Sequence, residues 1–300
     1  MAETGKFAVF ETPCRVWTIS SIHGDVRGLV ALHAALEERV AEGDRLVYLG
    51  NVLGRGAAVR ATVDEVLAFR RAFLAIPGND VKDYAILRGA QEEMWNKLFE
   101  LQFAVNPAEV LQWMLDHGIA TTIEAYGGNP RDGMAAARQG TMMLNRWTAG
   151  LRAAFGEAPG HRDFLSSLRQ AAYTDDGTFV FVNAGLDPER PLDAQNDAFW
   201  WAQQDFEKIE RSYFGCKLVV RGYDPAHHGV RVGAHSASID GCAGFGGAPI
   251  AACVTPADGI IDIVELHHTD GATHPDIDHA GATRARGKSL AQFGLDPRHR

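Results

Sequence analysis

Polar residues that could bind phosphate or metal follow five short apolar runs of this sequence, each at a turn marked by glycine. The five runs are residues 16–20, 46–49, 84–87, 179–182 and 217–220. The turns that follow them are residues 21–25, 50–56, 88–92, 183–185 and 221–225. Ligands of open α/β sheets bind beyond the carboxyl ends of the strands. We therefore expect the five turns to converge on one site.

The order and spacing of these turns resemble the calcineurin-like metallophosphoesterases, especially the branch of Ser/Thr protein phosphatases and dinucleoside-tetraphosphate hydrolases. That family reads G-D-x-H-G, G-D-x-x-D-R-G, R-G-N-H-E, H-A-G and G-H-T/Q in chain order. This sequence has S-S-I-H-G from Ser20, G-N-V-L-G-R-G from Gly50, R-G-A-Q-E from Arg88, N-A-G from Asn183 and G-Y-D from Gly222. The resemblance spans roughly residues 14 to 266. It implies a four-layer α-β-β-α sandwich with a helical insertion over the strand exits.

The resemblance also implies two metal ions, of Mn, Fe or Zn, that clamp a phosphate and deprotonate a water. Of the seven metal-binding and catalytic positions that it implies, only His23 keeps the family's residue. The family's two aspartates, one asparagine, two histidines and general-acid histidine are here Ser21, Asn51, Ala90, Asn183, Tyr223 and Gln91. Asn51 offers one neutral oxygen, Ala90 offers no donor, and Gln91 cannot transfer a proton. We therefore expect no catalytic residue, no metal ligand and no cofactor at these positions.

Three arginines remain where the resemblance places groups that face or support the phosphate: Arg55, Arg88 and Arg221. Guanidinium groups suit oxyanions because they donate in a planar fork. Three such cations in one pocket need compensating charge, either from a bound phosphoryl group or from nearby carboxylates. The nearby carboxylates are Asp25, Glu92, Asp187 and Asp224. Together with His23, they are also the candidates for a relocated metal site.

These residues favour a catalytically inactive pseudophosphatase that binds a phosphorylated or anionic ligand or partner. One alternative is an active phosphoprotein or nucleotide phosphatase that uses the relocated metal site. A second is a protein-interaction scaffold whose partner contacts the helical insertion. The aromatic and methionine positions of that insertion are Met94, Trp95, Phe99, Phe103, Trp113 and Met114. At helical spacing, such residues belong to a core more often than to a partner surface.

Two other kinds of site find no support in the sequence. The glycines of residues 241–247 are not followed by Gly-Lys-Ser/Thr, so a phosphate-binding P-loop is excluded. None of the four cysteines lies in one of the five turns, so a cysteine nucleophile is not expected. The pairs His227-His228 and His267-His268 are interpreted as solvated surface residues.

The elements that position the turns alternate between strand and helix over the first 90 residues, which is typical of a layered α/β sheet. Residues 91–175 have a helical pattern, with helices expected at 92–103, 107–116, 141–155 and 161–172, and form the predicted insertion. Strands resume at 179, and a helix is predicted from Phe199 to about Glu210. We expect one domain over 1–266 and a flexible polar tail over 267–300.

Composition limits the remaining functions. The 300 residues include 29 Lys+Arg and 38 Asp+Glu, a net charge of −9, with no basic run, which argues against nucleic-acid binding. No apolar run approaches the roughly 18–20 residues of a membrane span. The four dispersed cysteines and the lack of an evident signal peptide favour a cytoplasmic location.

Overall fold

The computed structural model describes residues 5–201, 206–256, 258–265 and 286–288. Within these residues the strands form two six-stranded sheets. The strands are β1 (Phe7–Phe10), β2 (Val16–Ile19), β3 (Arg45–Tyr48), β4 (Tyr84–Ile86), β5 (Ala171–Thr174), β6 (Phe179–Val182), β7 (Leu218–Arg221), β8 (Val230–Val232), β9 (Ser236–Ile239), β10 (Ala251–Thr255), β11 (Gly259–Glu265) and β12 (Arg286–Lys288). The helices are α1 (Val26–Glu37), α2 (Val59–Leu74), α3 (Ala90–Leu98), α4 (Pro107–Asp116), α5 (Ala120–Ala125), α6 (Pro130–Gln139), α7 (Thr141–Glu157), α8 (His161–Ser167) and α9 (Ala198–Trp201).

Both sheets contain parallel strands that end at the same edge. The first sheet has the order β1-β5-β6-β7-β9-β8, in which β6, β7 and β9 are parallel. The second has the order β12-β11-β10-β2-β3-β4, in which β2, β3 and β4 are parallel. The register pairs Ile19 with Tyr48 and Tyr48 with Ile86, so the exits of these three strands lie side by side.

Successive side chains of a strand point to opposite faces of the sheet, so each sheet can pack on the other sheet with one face and on helices with the other. On β6, Phe179 and Phe181 pack into the core between the sheets, whereas Val180 and Val182 pack on the other face with Trp200. The outer face of the second sheet packs on helices in a larger core that reaches into the insertion. Each fully buried side chain of this size contributes about 1.5–3 kcal/mol. The expected four-layer α-β-β-α architecture is confirmed.

The insertion is helical but ends earlier than the sequence predicted. Helices α3 to α8 occupy it, and two of them, α5 and α6, were not predicted. The helix predicted over 161–172 stops at Ser167, and β5 follows at Ala171–Thr174. Strand β5 forms a hairpin with β6 and pairs with the distant β1, and this pairing overrides the weak strand preference of its alanines.

The aromatic and methionine positions of the insertion divide between its core and its surface. Met94, Trp95 and Met114 are buried, as expected of helical spacing. Phe103 is 81% exposed and Trp113 is 42% exposed, so these two rings face outward.

Two regions near the end of the chain fall partly outside the described residues. Of the expected tail over 267–300, only Arg286–Lys288 is described, and it forms a strand beside β11. The helix predicted from Phe199 is α9, which is described to Trp201, and residues 202–205 lie outside the described part. Among the described residues, no helix combines the length and the apolar character that crossing a bilayer requires.

Candidate functional site

Backbone hydrogen bonds join four of the five turns, and side-chain bonds of Asn51 and Glu92 connect the fifth, residues 88–92, to them. The Ser21 amide donates to the Gly222 carbonyl at 3.0 Å, and the His23 amide donates to the Asn51 carbonyl at 2.7 Å. The Tyr223 amide donates to the Asn183 carbonyl at 3.0 Å. The strand exits therefore form one cluster, as the order of the motifs predicts.

Asn51 lies at the centre of this cluster and its side-chain amide is fully engaged. Its Oδ1 accepts from the Gln91 amide at 3.1 Å, and its Nδ2 donates to Ser21 Oγ at 3.2 Å. Nδ2 also lies 3.5 Å from Asn183 Oδ1, while Asn183 Nδ2 donates to the Leu49 carbonyl at 2.6 Å. These side chains are buried. They form a neutral network in which the polar atoms bind one another, as buried polar groups must.

The Glu92 carboxylate holds three backbone amides from two of the turns. Its Oε2 accepts from Asn51 N at 2.9 Å and from Gly89 N at 2.8 Å, and its Oε1 accepts from Leu53 N at 2.9 Å. Complete burial raises the pKa of this carboxyl above its usual range, and the three amide donors oppose that rise. Glu92 thus fixes the β3–α2 turn against the start of α3, and both of its oxygens are occupied.

His23 is the retained histidine, and its ring is buried and uncharged. It is 1% exposed, and neither ring nitrogen has a well-formed hydrogen bond among the described residues, although the Leu53 backbone interacts with the ring. Burial, with the charges of Arg55 and His227, lowers its pKa to about 3. The ring meets Tyr223 edge-on at a centroid distance of 5.6 Å. His23 is therefore neutral at physiological pH.

The glycine-rich segment 241–247 lies directly against His23. A Cβ on Gly244, whose φ is +79°, would come within 2.7 Å of the His23 Cβ. The next residue, Phe245, meets the His23 ring at 5.7 Å and the Arg55 guanidinium at 4.2 Å. The close approach of the backbone to His23 therefore explains the glycine at 244 without a cofactor-binding loop.

Arg221 is held by carboxylates inside the protein. It is 1% exposed, and its Nη2 contacts Glu207 at 2.9 Å and Asp224 at 3.0 Å. Its Nε donates to Ser238 Oγ at 3.2 Å, and the guanidinium lies 4.2 Å from the Phe206 ring. Burial lowers its pKa below the usual range, while the two carboxylates oppose that shift.

The other two arginines differ from Arg221 and from each other. Arg88 contacts Glu93 at 3.0 Å and is 29% exposed. Arg55 is half-buried, and its guanidinium stacks on Phe245 without an ion pair to any described residue. Arg55 is thus the one of these three arginines that has no carboxylate partner among the described residues.

Each of the four carboxylates that could form a relocated metal site contacts a different partner. Asp25 caps α1 by accepting from Gly28 N at 3.0 Å, and Asp187 contacts Arg190 at 3.1 Å. Asp224 binds Arg221 and also His228 at 3.0 Å. With Glu92 bound to backbone amides, each of the four already has a partner other than His23 within the described part of the chain.

The sequence missed a cluster made by His227, Asp240 and Cys242. His227 Nδ1 lies 2.8 Å from Asp240 Oδ2, and the Cys242 amide donates to Asp240 Oδ1 at 2.9 Å. The interpretation of His227 as a solvated surface residue is wrong, because its side chain is only 21% exposed and is paired. The signal in the sequence was the triplet Asp240-Gly241-Cys242, which begins 13 residues after His227. The other histidine pair, His267-His268, lies outside the described residues.

Comparison with known proteins rests on structure alone. No family model matches the sequence, and no curated protein matches it. A structure described as a putative diadenosine tetraphosphatase is 16% identical, with a TM-score of 0.50, over 86% of this chain and 97% of that chain. A mutant form of a cold-active protein tyrosine phosphatase is 13% identical, with a TM-score of 0.51, over 88% of this chain and 81% of that chain. A cold-active protein tyrosine phosphatase of a psychrophilic Shewanella species is 12% identical, with a TM-score of 0.50, over 86% of this chain and 78% of that chain.

The chain has the calcineurin-like metallophosphoesterase fold. At these identities the likeness shows the fold, and activity has to be argued from the site. The metallophosphoesterase fold brings the five turns together at one edge, as the backbone bonds and the side-chain bonds of Asn51 and Glu92 show.

The donors at the implied metal positions of this metallophosphoesterase fold do not suit two divalent ions. Two such ions carry about four positive charges. Ser21, Asn51, Asn183 and Ala90 carry no negative charge, and the oxygen of Asn51 already accepts from an amide. Burial raises the pKa of the Tyr223 phenol, which keeps it protonated. The residues present do not fit a dinuclear centre.

Proposed function

We propose that this protein is a non-hydrolysing member of the metallophosphoesterase fold, a pseudophosphatase, that binds an anionic phosphoryl group through Arg55. The observation that carries the proposal is the Asn51 amide, which is bound to Ser21, Gln91 and Asn183 where the resemblance implies a bridging carboxylate.

Hydrolysis lacks support at each chemical step. A phosphoesterase needs an activated water, and a neutral, engaged asparagine cannot hold the two cations that would activate it. Protonation of the leaving group needs an acid, but the Gln91 side chain is a neutral amide, whose Nε2 donates to the His117 carbonyl at 2.8 Å. His23 is neutral because its pKa is about 3. An active phosphatase with relocated ligands would have to break the partnerships of Asp25, Glu92, Asp187 and Asp224.

Anion binding is supported by the difference between the arginines. Arg221 has two carboxylate partners and Arg88 has one, so their charges are offset within the protein. The Arg55 guanidinium stacks on Phe245 and keeps its donors free of carboxylates among the described residues. A phosphoryl oxygen is the kind of acceptor that such a fork binds.

One experiment addresses both halves of the proposal. The purified protein is assayed with p-nitrophenyl phosphate and Mn²⁺, and its Tm is measured with and without inorganic phosphate. We expect turnover equal to the blank for the parent and for Asn51→Asp, because a single carboxylate does not rebuild a dinuclear site. We expect phosphate to raise the Tm of the parent by binding the native state.

The controls separate the two halves. Arg55→Gln should lose the phosphate-dependent rise in Tm, and Arg190→Gln should keep it, because Arg190 is exposed and lies in a separate ion pair with Asp187. Turnover above the blank that His23→Asn abolishes would establish the active alternative. An equal rise in Tm for Arg55→Gln and the parent would refute the anion-binding half.

A further inference from the structure

The loop between β7 and β8 and the turn after β9 place three potential metal ligands together. A ring nitrogen of His227, a carboxylate oxygen of Asp240 and the Sγ of Cys242 all lie within 4.8 Å of one another. Ligand atoms around a tetrahedral Zn²⁺, bonded at about 2.0–2.3 Å, are separated by about 3.3–3.8 Å. The cluster therefore needs shifts of no more than about 1–2 Å to surround an ion, and none of its residues belongs to the positions that the resemblance implies.

The backbone holds the central carboxylate in place before any ion arrives. Asp240 is 1% exposed, and it accepts from the Cys242 amide at 2.9 Å and from the Asp224 amide at 3.2 Å. The Cys242 Sγ lies 3.6 Å from the His227 carbonyl, and the His227 amide donates to the Asp224 carbonyl at 2.9 Å. Fixed ligand orientation of this kind strengthens metal binding.

The charges and the exposure also favour a cation. A carboxylate and a thiolate together supply two negative charges, which match one divalent ion. His227 and Cys242 are partly exposed, so solvent reaches one side of the cluster. Three protein ligands with one side open correspond to a zinc site that keeps a position for water.

Phe245 connects the cluster to the neighbouring His23. Phe245 contacts the His227 ring at 3.9 Å and the His23 ring at 5.7 Å. Both His23 nitrogens are buried without a well-formed hydrogen bond, which is costly at about 1–3 kcal/mol for each lost partner. His23 is thus a neighbour of the cluster and is not one of its three ligand residues.

We propose that His227, Asp240 and Cys242 bind one Zn²⁺ ion, independently of whether the protein binds phosphate. Thiolate and imidazole ligands select a soft or borderline ion over Mg²⁺ or Mn²⁺. Coordination by Sγ breaks the S–H bond and releases that proton to solvent, while His227 binds in its neutral form. Affinity therefore falls as the pH is lowered.

The test is titration of the tag-free, full-length, metal-stripped protein with Co²⁺ and then Zn²⁺. We expect a sulfur-to-cobalt charge-transfer band in the near ultraviolet that saturates at one ion per chain and disappears when Zn²⁺ displaces Co²⁺. This band requires a cysteine ligand, so histidines elsewhere, including those of residues 267–300, do not produce it. Mn²⁺ in excess should leave the band unchanged.

Variants assign the ligands. Cys242→Ser should abolish the band, and Asp240→Asn and His227→Gln should each weaken Zn²⁺ binding by at least about tenfold. Cys216→Ser is the matched control, because that thiol is buried on the other face of the first sheet, and it should behave as the parent. Circular dichroism of each metal-free variant checks that it is folded. No charge-transfer band in the parent, or an equal band in Cys242→Ser, would overturn the proposal, whatever the phosphatase and phosphate experiments show.

Discussion

The amide network around Asn51 and the cluster of His227, Asp240 and Cys242 are neighbours that satisfy their polar groups in opposite ways. In the network, neutral amides and a hydroxyl bind one another, and none of them ionises near neutral pH. In the cluster, an imidazole, a carboxylate and a thiol meet, and two of these can become anionic. At this edge of the sheets, neutral groups therefore occupy the metal positions that the resemblance implies, while a different group of potential metal ligands lies beside them.

The network also depends on one buried charge that is kept for structure. Glu92 is fully buried, and its carboxylate accepts hydrogen bonds from three backbone amides of the described residues. A carboxylate at the strand exits is therefore not by itself a ligand. The comparison predicts that the Glu92 carboxylate stabilises the fold, whereas the ionisable groups of Asp240 and Cys242 bind a ligand.

The largest expected effect is the loss of stability in Glu92→Ala. The substitution leaves the amides of Asn51, Leu53 and Gly89 buried without an acceptor, and each costs about 1–3 kcal/mol. We expect the free energy of unfolding in urea to fall by about 3 kcal/mol or more. For Glu109→Ala, at an exposed position on α4, it should fall by less than about 1 kcal/mol. Similar losses in the two variants would mean that Glu92 does not hold the turns.

The contrast between the regions also explains which features the sequence could predict. The five turns were found because their glycines and apolar runs are local, and local patterns survive in the sequence. The amide network could be inferred only as a loss of ligands, since the bonds of Asn51 to Ser21 and Asn183 join positions 30 and 132 residues away.

The partners of charged groups were also hard to predict, because several of them lie in separate segments of the chain. The pairing of Arg221 with Asp224 is local and was among the alternatives, but its second partner, Glu207, is brought by a different segment. His227 and Asp240 meet because β8 and β9 form an antiparallel pair that folds the chain back. Strand β8 is only three residues long and was not predicted.

The second effect concerns pH and tests whether the folded protein keeps the buried His23 ring uncharged. His23 has an ordinary pKa of 6.5 when unfolded and about 3 when folded. Between these values the unfolded chain takes up a proton that the folded protein refuses, so stability falls as the pH is lowered from 6.5 toward 3. The contribution to the slope is at most about 1.4 kcal/mol per pH unit. His23→Gln should flatten the profile in this range.

Tyr223→Phe is the matched control for this profile. It keeps the ring that contacts His23 and removes a phenol whose pKa lies above the usual value for tyrosine, outside the acidic range. Urea unfolding at several pH values should therefore give the parent slope for this variant. A parent slope in His23→Gln as well would contradict this prediction, because it would mean that His23 takes up its proton equally in the folded and unfolded protein.

The smallest effect probes the contact that joins the two regions. Gly244 and Gly246 both have positive φ, +79° and +98°, so alanine at either position costs about 1–2 kcal/mol of backbone strain. Only at 244 would the new Cβ also meet the His23 Cβ, at 2.7 Å, whereas nothing described lies within 4 Å at 246. Gly244→Ala should therefore lose about 1–3 kcal/mol more than Gly246→Ala in urea unfolding. Equal losses would show that the glycine-rich segment does not pack against His23. The contact between the segment that carries Cys242 and the strand exits would then be absent.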